Sequence, residues 1–135
     1  MSAPLTVAGL EAAARETTGL SDFGPDTGWR EGFERLVAAV EAMAPNDQLR
    51  HLATHNIVGQ LSTRLRLVED DRNYPEIAAQ DVGTPLIVIG LPRTGTTISY
   101  DLLCLDPEAR SPREWEWYIP WPPTEVSTFD SDPRI

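Results

Sequence analysis

The first part of the chain alternates apolar and polar residues with the spacing of amphipathic helices. Between residues 28 and 43, apolar side chains recur at i, i+3, i+4 and i+7, and charged side chains fill the positions between them. These apolar positions are Phe33, Leu36, Val37, Val40 and Met43. A shorter pattern of the same kind follows Thr6, and threonine is a good N-cap residue. Both patterns predict helices.

A longer apolar pattern begins after Asn46, which we expect to cap a third helix. Its apolar positions are Leu49, Leu52, Leu61, Leu65 and Val68. Pro45 ends the preceding helix because proline lacks an amide donor, and the long helix ends near residues 70–71. We therefore expect residues 1–83 to form a helical N-terminal region. Within it, residues 21–28 contain two glycines and a proline and are typical of a flexible linker.

The pattern changes at residues 85–97, which read PLIVIGLPRTGTT. Residues 86–89 are continuously apolar and rich in β-branched side chains, which is typical of a strand covered on both faces in a parallel sheet. A weaker strand is expected at residues 108–111. We predict an α/β fold with a P-loop-type αβα parallel sheet over residues 84–135. The sheet would be incomplete in this chain, because such folds contain several parallel strands.

The predicted strand leads into a loop with the spacing of an anion-binding motif. Gly90 and Gly95 frame a G-x-x-x-x-G run that is followed by Thr96 and Thr97, as in the Walker pattern. The Walker lysine is missing, and the whole chain contains no lysine. The fixed cation of this loop is Arg93. Loop amides and the positive end of a following helix can bind an anion without this lysine. The lysine is the residue that contacts the terminal phosphates of a nucleotide triphosphate in Walker proteins.

Residues 90–97, GLPRTGTT, resemble the 5′-phosphosulfate-binding loop of sulfotransferases, which use 3′-phosphoadenosine 5′-phosphosulfate (PAPS). Arginine stands where the cytosolic members carry lysine, as in the tyrosylprotein and many bacterial enzymes. The resemblance continues through residues 98–125, ISYDLLCLDPEARSPREWEWYIPWPPTE, and covers residues 84–135. It implies the N-terminal portion of a bacterial sulfotransferase of the tyrosylprotein-sulfotransferase-like class.

The resemblance also implies which residues bind the donor and which carry the reaction. The donor-binding residues would be Pro92, Arg93, Thr94, Gly95, Thr96 and Thr97. Arg93 would stabilise the charge that develops on the bridging oxygen, and Glu114 would be the general base by its register from Arg93. Glu116 is an alternative base, because the run Arg113-Glu114-Trp115-Glu116 departs from the family's Gly-Glu-Glu-Thr. No metal ion is implied.

Charge and composition exclude several classes of partner. A formal net charge of −10 argues against binding to nucleic acid, whose phosphates are bound by surplus lysine and arginine. The chain has one cysteine, so it forms no internal disulfide, which fits the cytoplasm. No apolar stretch approaches the roughly 20 residues that cross a bilayer, and we expect no membrane association.

Other residues of chemical interest have structural interpretations. His51 and His55 are one helical turn apart, but a third ligand and the glutamate of H-E-x-x-H are missing, so we expect no metal site. Cys104 and Arg110 have C-x5-R spacing, yet Cys104 falls in a helical pattern and is expected to be a core thiol. The tryptophans fit either an acceptor pocket or ordinary packing. They are Trp115, Trp117 and Trp121. Residues 130–132 are expected to form a solvated turn.

The sequence favours one function and leaves two alternatives open. The favoured one is sulfuryl transfer from PAPS to the hydroxyl of a small-molecule acceptor. We expect this chain to be an incomplete and inactive part of a longer enzyme. We also expect either partial unfolding or formation of a homo-oligomer, because a lone strand leaves both edges unpaired. The alternatives are a P-loop phosphotransferase with a degenerate Walker motif and a noncatalytic helical interaction module.

Overall fold

The computed structural model describes residues 4–43 and 46–135, which divide into two compact units at Ala78 and Ala79. The first unit contains helices α1 (Val7–Thr18), α2 (Gly28–Ala42), α3 (Asp47–Asn73) and α4 (Pro75–Ala78). The second unit contains α5 (Thr96–Leu103), α6 (Glu114–Tyr118) and a short 3-10 helix at Val126–Thr128. None of the helices in the described ranges is both long and apolar enough to cross a membrane.

The predicted helices of the first unit are confirmed, and so are two of their caps. The Thr6 side chain accepts a hydrogen bond from the Gly9 amide at 3.1 Å. The Asn46 side chain accepts one from the Leu49 amide at 2.9 Å. Each bond satisfies an amide of the first turn that has no partner within its own helix. The predicted helix break at Pro45 lies outside the described residues.

The core of the first unit forms mainly where α1 packs on α3. Its buried apolar residues are Leu10, Ala14, Phe23, Phe33, Val37, Ile57, Leu61 and Leu65. Leu65 is fully buried. Leu49 and Leu52 were expected on the same apolar face, but they are 52% and 54% exposed. The α1–α3 core is therefore centred on the middle of α3, and the first turns of α3 contribute less to it.

The segment between α1 and α2 is not the flexible linker that its glycines and proline predict. Phe23 is buried in the core. The Arg64 guanidinium on α3 donates to the carbonyl oxygens of Phe23 at 2.8 Å and Asp26 at 3.0 Å. It also lies 4.8 Å from the centre of the Trp29 ring. One buried aromatic side chain and one arginine therefore fix this segment against α3.

The predicted parallel sheet is wrong. The described residues contain helices and turns but no strand, at residues 86–89 or at residues 108–111. A strand forms only when a neighbouring segment pairs with its amides and carbonyls, and no described segment of this unit pairs with residues 86–89 in that way. Leu86 and Ile89 are correspondingly exposed, at 76% and 87%. The apolar pattern of residues 86–89 is visible in their own sequence, whereas the hydrogen bonds of a strand require a partner segment elsewhere in the chain.

The end of the second unit is held together by Arg134. Its guanidinium forms a two-point ion pair with the Asp132 carboxylate, at 2.7 and 2.6 Å. The same group donates to the carbonyl oxygens of Ile119 at 2.8 Å and Pro122 at 2.5 Å. It also lies 4.7 Å from the centre of the Trp115 ring. The expected solvated turn is therefore wrong for Asp132, which is buried beside its partner.

Candidate functional site

Two glycines shape the loop before α5. A Cβ atom on Gly90 would lie 2.5 Å from Thr96 Cγ2 and 2.8 Å from Thr94 Oγ1, closer than atoms approach without displacement. Gly95 has a φ of 89°, in the left-handed region that glycine adopts most readily. The Thr94 hydroxyl donates to the Leu91 carbonyl at 2.7 Å and closes the loop across its middle. The loop therefore turns tightly because side chains are absent at these two positions.

The start of α5 presents backbone amides that no side chain caps. The Ser99 amide donates to the Gly95 carbonyl at 3.0 Å, so the regular helical bonding begins there. The amides of residues 96–98 precede this first bond and belong to the turn that lacks intrahelical acceptors. Together with the helix dipole they favour an anion. The glycine-bounded loop and the uncapped amides are therefore suited to bind an anion such as a phosphate.

Arg93 has an unusual backbone conformation within this loop. Its φ is 65°, the only positive φ of a non-glycine residue in the described ranges. Such conformations are uncommon outside glycine and cluster at functional sites. The side chain is exposed, and among the residues described it forms no hydrogen bond or ion pair. The guanidinium is therefore available to an anionic ligand, although it does not line the cavity described below.

Two hydrogen bonds join α5 to the segment that precedes α6. The Tyr100 hydroxyl donates to the Pro112 carbonyl at 3.0 Å. The Cys104 thiol donates to the Ser111 hydroxyl at 3.0 Å. Tyr100 and Cys104 are one helical turn apart, so both bonds come from the same side of α5. This connection fixes the position of the loop helix relative to the chain that leads into Glu114.

Glu114 and Glu116 have different environments although they are two residues apart. Glu116 accepts hydrogen bonds from the Arg113 amide at 2.7 Å, the Thr124 hydroxyl at 2.9 Å and the Arg110 guanidinium at 2.7 Å. Burial by itself raises the pKa of Glu116, but these bonds and the charge of Arg110 together lower that pKa below its ordinary value. Glu114 is exposed and forms no such bond among the described residues. Glu116 thus has a structural role, and Glu114 is free to contact a ligand.

One cavity of about 1100 Å³ brings several of these residues together. Its wall includes Thr96 and Thr97 from the start of α5, Tyr100 one turn further along, and Glu114 from the start of α6. Trp117 also lines it, whereas Glu116 does not. This size is slightly above the range of roughly 300–1,000 Å³ that is usual for small-molecule sites. The cavity therefore places the candidate base beside the residues that would bind the donor.

The remaining candidates have mostly structural surroundings. Trp115 packs against Phe129, with ring centres 5.9 Å apart, and against Arg134. Cys104 is half-buried at the end of α5. Within residues 4–43 and 46–135, no group of three or more histidine, cysteine, aspartate or glutamate side chains is arranged to hold a metal ion. No sequence pattern indicates the contact of Tyr100, because it depends on a carbonyl twelve residues further along the chain.

Comparison with solved structures tests the resemblance that the loop motif suggests. Over 97% of its length, the chain matches the crystal structure of sulfotransferase STF1 from Mycobacterium tuberculosis, with a TM-score of 0.79 and 32% sequence identity. The chain resembles a sulfotransferase. It spans 36% of the STF1 chain, which is consistent with an N-terminal portion of such a protein. No protein-family model matches this sulfotransferase-like chain, and no curated protein sequence does.

Proposed function

We propose that this chain supplies the donor-binding loop and the general base of a sulfotransferase that uses PAPS and a small-molecule hydroxyl acceptor. The observation that carries the proposal is the shared cavity, which both the start of α5 and Glu114 line. The similarity to sulfotransferase STF1 supports the reaction class. The missing lysine favours sulfuryl over phosphoryl transfer, because P-loop enzymes use that lysine to bind the terminal phosphates.

The loop residues bind and orient the donor, which supplies the sulfuryl group. The backbone amides of residues 94–97 donate to its 5′-phosphate, and the Thr96 and Thr97 hydroxyls add hydrogen bonds. Pro92 fixes φ at the entrance of the loop. Arg93 stabilises the negative charge that grows on the bridging oxygen as its bond to sulfur breaks. A guanidinium that is always charged suits this role.

Glu114 acts on the acceptor. Its carboxylate accepts the hydroxyl proton, while the acceptor oxygen forms a new bond to sulfur. The bond between sulfur and the bridging oxygen breaks, and its electron pair remains on the phosphate beside Arg93. The products are the sulfated acceptor, adenosine 3′,5′-bisphosphate and a protonated Glu114. We propose further that the isolated 135-residue chain binds the donor weakly. The described residues assigned to the donor contact its 5′-phosphate and sulfuryl group, and none is assigned to its adenine.

Substitution of Glu114 tests the proposed base. In the full-length natural protein, Glu114→Gln is expected to lower kcat for PAPS-dependent sulfation by about 10²–10⁴, because the acceptor loses its proton acceptor. The dissociation constant for PAPS, measured by calorimetry, is expected to stay unchanged. In the same assay Arg93→Ala is expected to lower the rate by about 10²–10³.

Glu116→Gln is the matched control, because Glu116 lies outside the cavity and has three hydrogen-bonding partners. It is expected to lower thermal stability more than kcat. Sulfation by Glu114→Gln within a few-fold of the unsubstituted enzyme would exclude Glu114 as the base. Loss of turnover in Glu116→Gln but not in Glu114→Gln would assign the general base to Glu116.

A further inference from the structure

The cavity of the second unit carries more negative than positive charge. Asp106, Glu108 and Glu114 line it, and Arg110 is the basic residue on its wall. The Arg110 guanidinium is already bound to Glu116 at 2.7 Å, outside the cavity. In the part of the chain that the structure describes, the three lining carboxylates form no ion pair. Their charges therefore act on whatever enters the cavity.

The turn that carries Asp106 and Glu108 is ordered by its own hydrogen bonds. The Asp106 carboxylate accepts from the Glu108 amide at 3.0 Å. The Asp106 carbonyl accepts from the Ala109 amide, also at 3.0 Å. Both bonds stay within the turn, so one oxygen of Asp106 and the whole carboxylate of Glu108 remain available at the cavity.

Another part of the same cavity wall is apolar. It is formed by Val82, Leu86, Ile87, Val88, Leu103 and Trp117. Leu86, Ile87 and Trp117 are each at least 70% exposed. Covering exposed apolar surface is favourable in water. The cavity thus combines an apolar surface with unpaired negative charge.

We infer that the acceptor is a hydroxyl compound with an apolar body and a positively charged group. The inference rests on the proposed function, because it assumes that the acceptor occupies the cavity beside Glu114. The apolar body contacts the residues around Leu86 and Trp117, and the positive group lies near Asp106 and Glu108. An anionic acceptor would be repelled by the three carboxylates, which disfavours it by charge rather than by shape. The proposed donor is also anionic, but the loop amides and Arg93 offset its charge.

Three phenols that differ in charge test the inference on the chain as it stands. They are tyramine, 4-ethylphenol and 4-hydroxyphenylacetate, whose side groups are positive, neutral and negative. Their affinities are measured by NMR titration of the backbone amides that line the cavity. Tyramine is expected to bind about two- to fivefold more tightly than 4-ethylphenol, and 4-hydroxyphenylacetate is expected to bind most weakly. High salt is expected to reduce these differences.

The double variant Asp106→Asn/Glu108→Gln is expected to remove the preference for tyramine. Asp101→Asn, on the same unit but away from the cavity wall, is the matched control and is expected to keep it. Equal affinities, tightest binding of the anion, no binding of any probe, or an unchanged preference in the double variant would each overturn the inference. If the three phenols bind in the expected order of affinity but Glu114→Gln retains turnover, Glu114 is excluded as the base and the inferred charge preference of the cavity is kept.

Discussion

Two residues of the loop before α5 are constrained in different ways, Gly90 by the space around it and Arg93 by its φ angle. Gly90 is required for space, since a Cβ atom would collide with Thr94 and Thr96. Arg93 adopts a positive φ that glycine would adopt at lower cost. Such conformations cluster at functional sites, and here one places an exposed guanidinium, with no partner among the described residues, at the mouth of the loop.

A methyl group at position 90 is expected to disrupt the loop. Gly90→Ala forces Thr94 and Thr96 apart, so it is expected to weaken PAPS binding by the full-length protein at least tenfold, as measured by calorimetry. Gly59→Ala is the matched control, because a Cβ atom at this helical position meets nothing within 4 Å. That substitution is expected to stabilise α3 by about 0.5–1 kcal/mol. Unchanged binding in Gly90→Ala would show that the loop tolerates the displacement.

The sequence predicts residues of the candidate site better than their surroundings. The loop motif predicted a tight glycine-bounded loop at residues 90–97, and the structure has one, because glycine positions follow local backbone geometry. It gave no indication of Tyr100 or of the burial of Asp132, since both depend on partners elsewhere in the unit. The register from Arg93 favours Glu114 over Glu116, but the hydrogen bonds that hold Glu116 are not visible in the sequence.

At the level of elements, local patterns predict helices well and sheets poorly. The helices α1 to α3 satisfy their own backbone groups, so caps such as Thr6 and Asn46 mark their starts. The apolar run at residues 86–89 fits a strand but forms none in the described structure, because its backbone lacks a neighbour to pair with. Periodicity also fails to say which leucines of a long helix are covered, as Leu52 shows.

The contribution of α3 to stability is expected to depend on its middle turns. Leu65→Ala removes a fully buried side chain and is expected to lower the free energy of unfolding by about 2–5 kcal/mol. Leu52→Ala makes the same chemical change at an exposed position on the same helix and is expected to cost less than about 1 kcal/mol. Urea unfolding followed by far-UV circular dichroism measures both. Equal losses would mean that the α1–α3 contact is not the main core of this unit.

Across the whole chain, arginine is the only strongly basic side chain. Arg30 pairs with Glu11 at 2.9 Å and joins α2 to α1. Arg64 binds the segment between α1 and α2, and Arg134 binds the end of the second unit. Planar guanidinium groups bind carboxylates and carbonyls through several bonds at once and stack on aromatic rings. Both units therefore rely on the same side-chain chemistry.

The Asp132–Arg134 pair is expected to make the second unit sensitive to acid. Hydrogen bonds from the Arg134 side chain lower the pKa of Asp132 from 3.8 to about 2. A lowered folded-state pKa adds stability that is complete above the ordinary pKa and is lost as the pH falls toward 2. Glu116, whose pKa is also lowered, contributes in the same direction.

Tryptophan fluorescence during urea unfolding at a series of pH values measures this effect. The stability of the unsubstituted chain is expected to decrease between about pH 4 and pH 2, and Asp132→Asn is expected to flatten that decrease. Asp130→Asn is the matched control, because Asp130 is exposed and pairs with Arg113 at 3.0 Å. An unchanged slope in Asp132→Asn would assign the acid sensitivity to other carboxylates.

The hydrogen bond between Cys104 and Ser111 makes the natural thiol a reporter of local opening. Separation of α5 from the segment before α6 exposes this half-buried thiol further, so its modification rate is expected to rise with that local fluctuation. Because the chain has one cysteine, no engineered probe is needed to follow it. The contact between α5 and the segment before α6 therefore contains, in Cys104, the group whose modification rate reports its own opening.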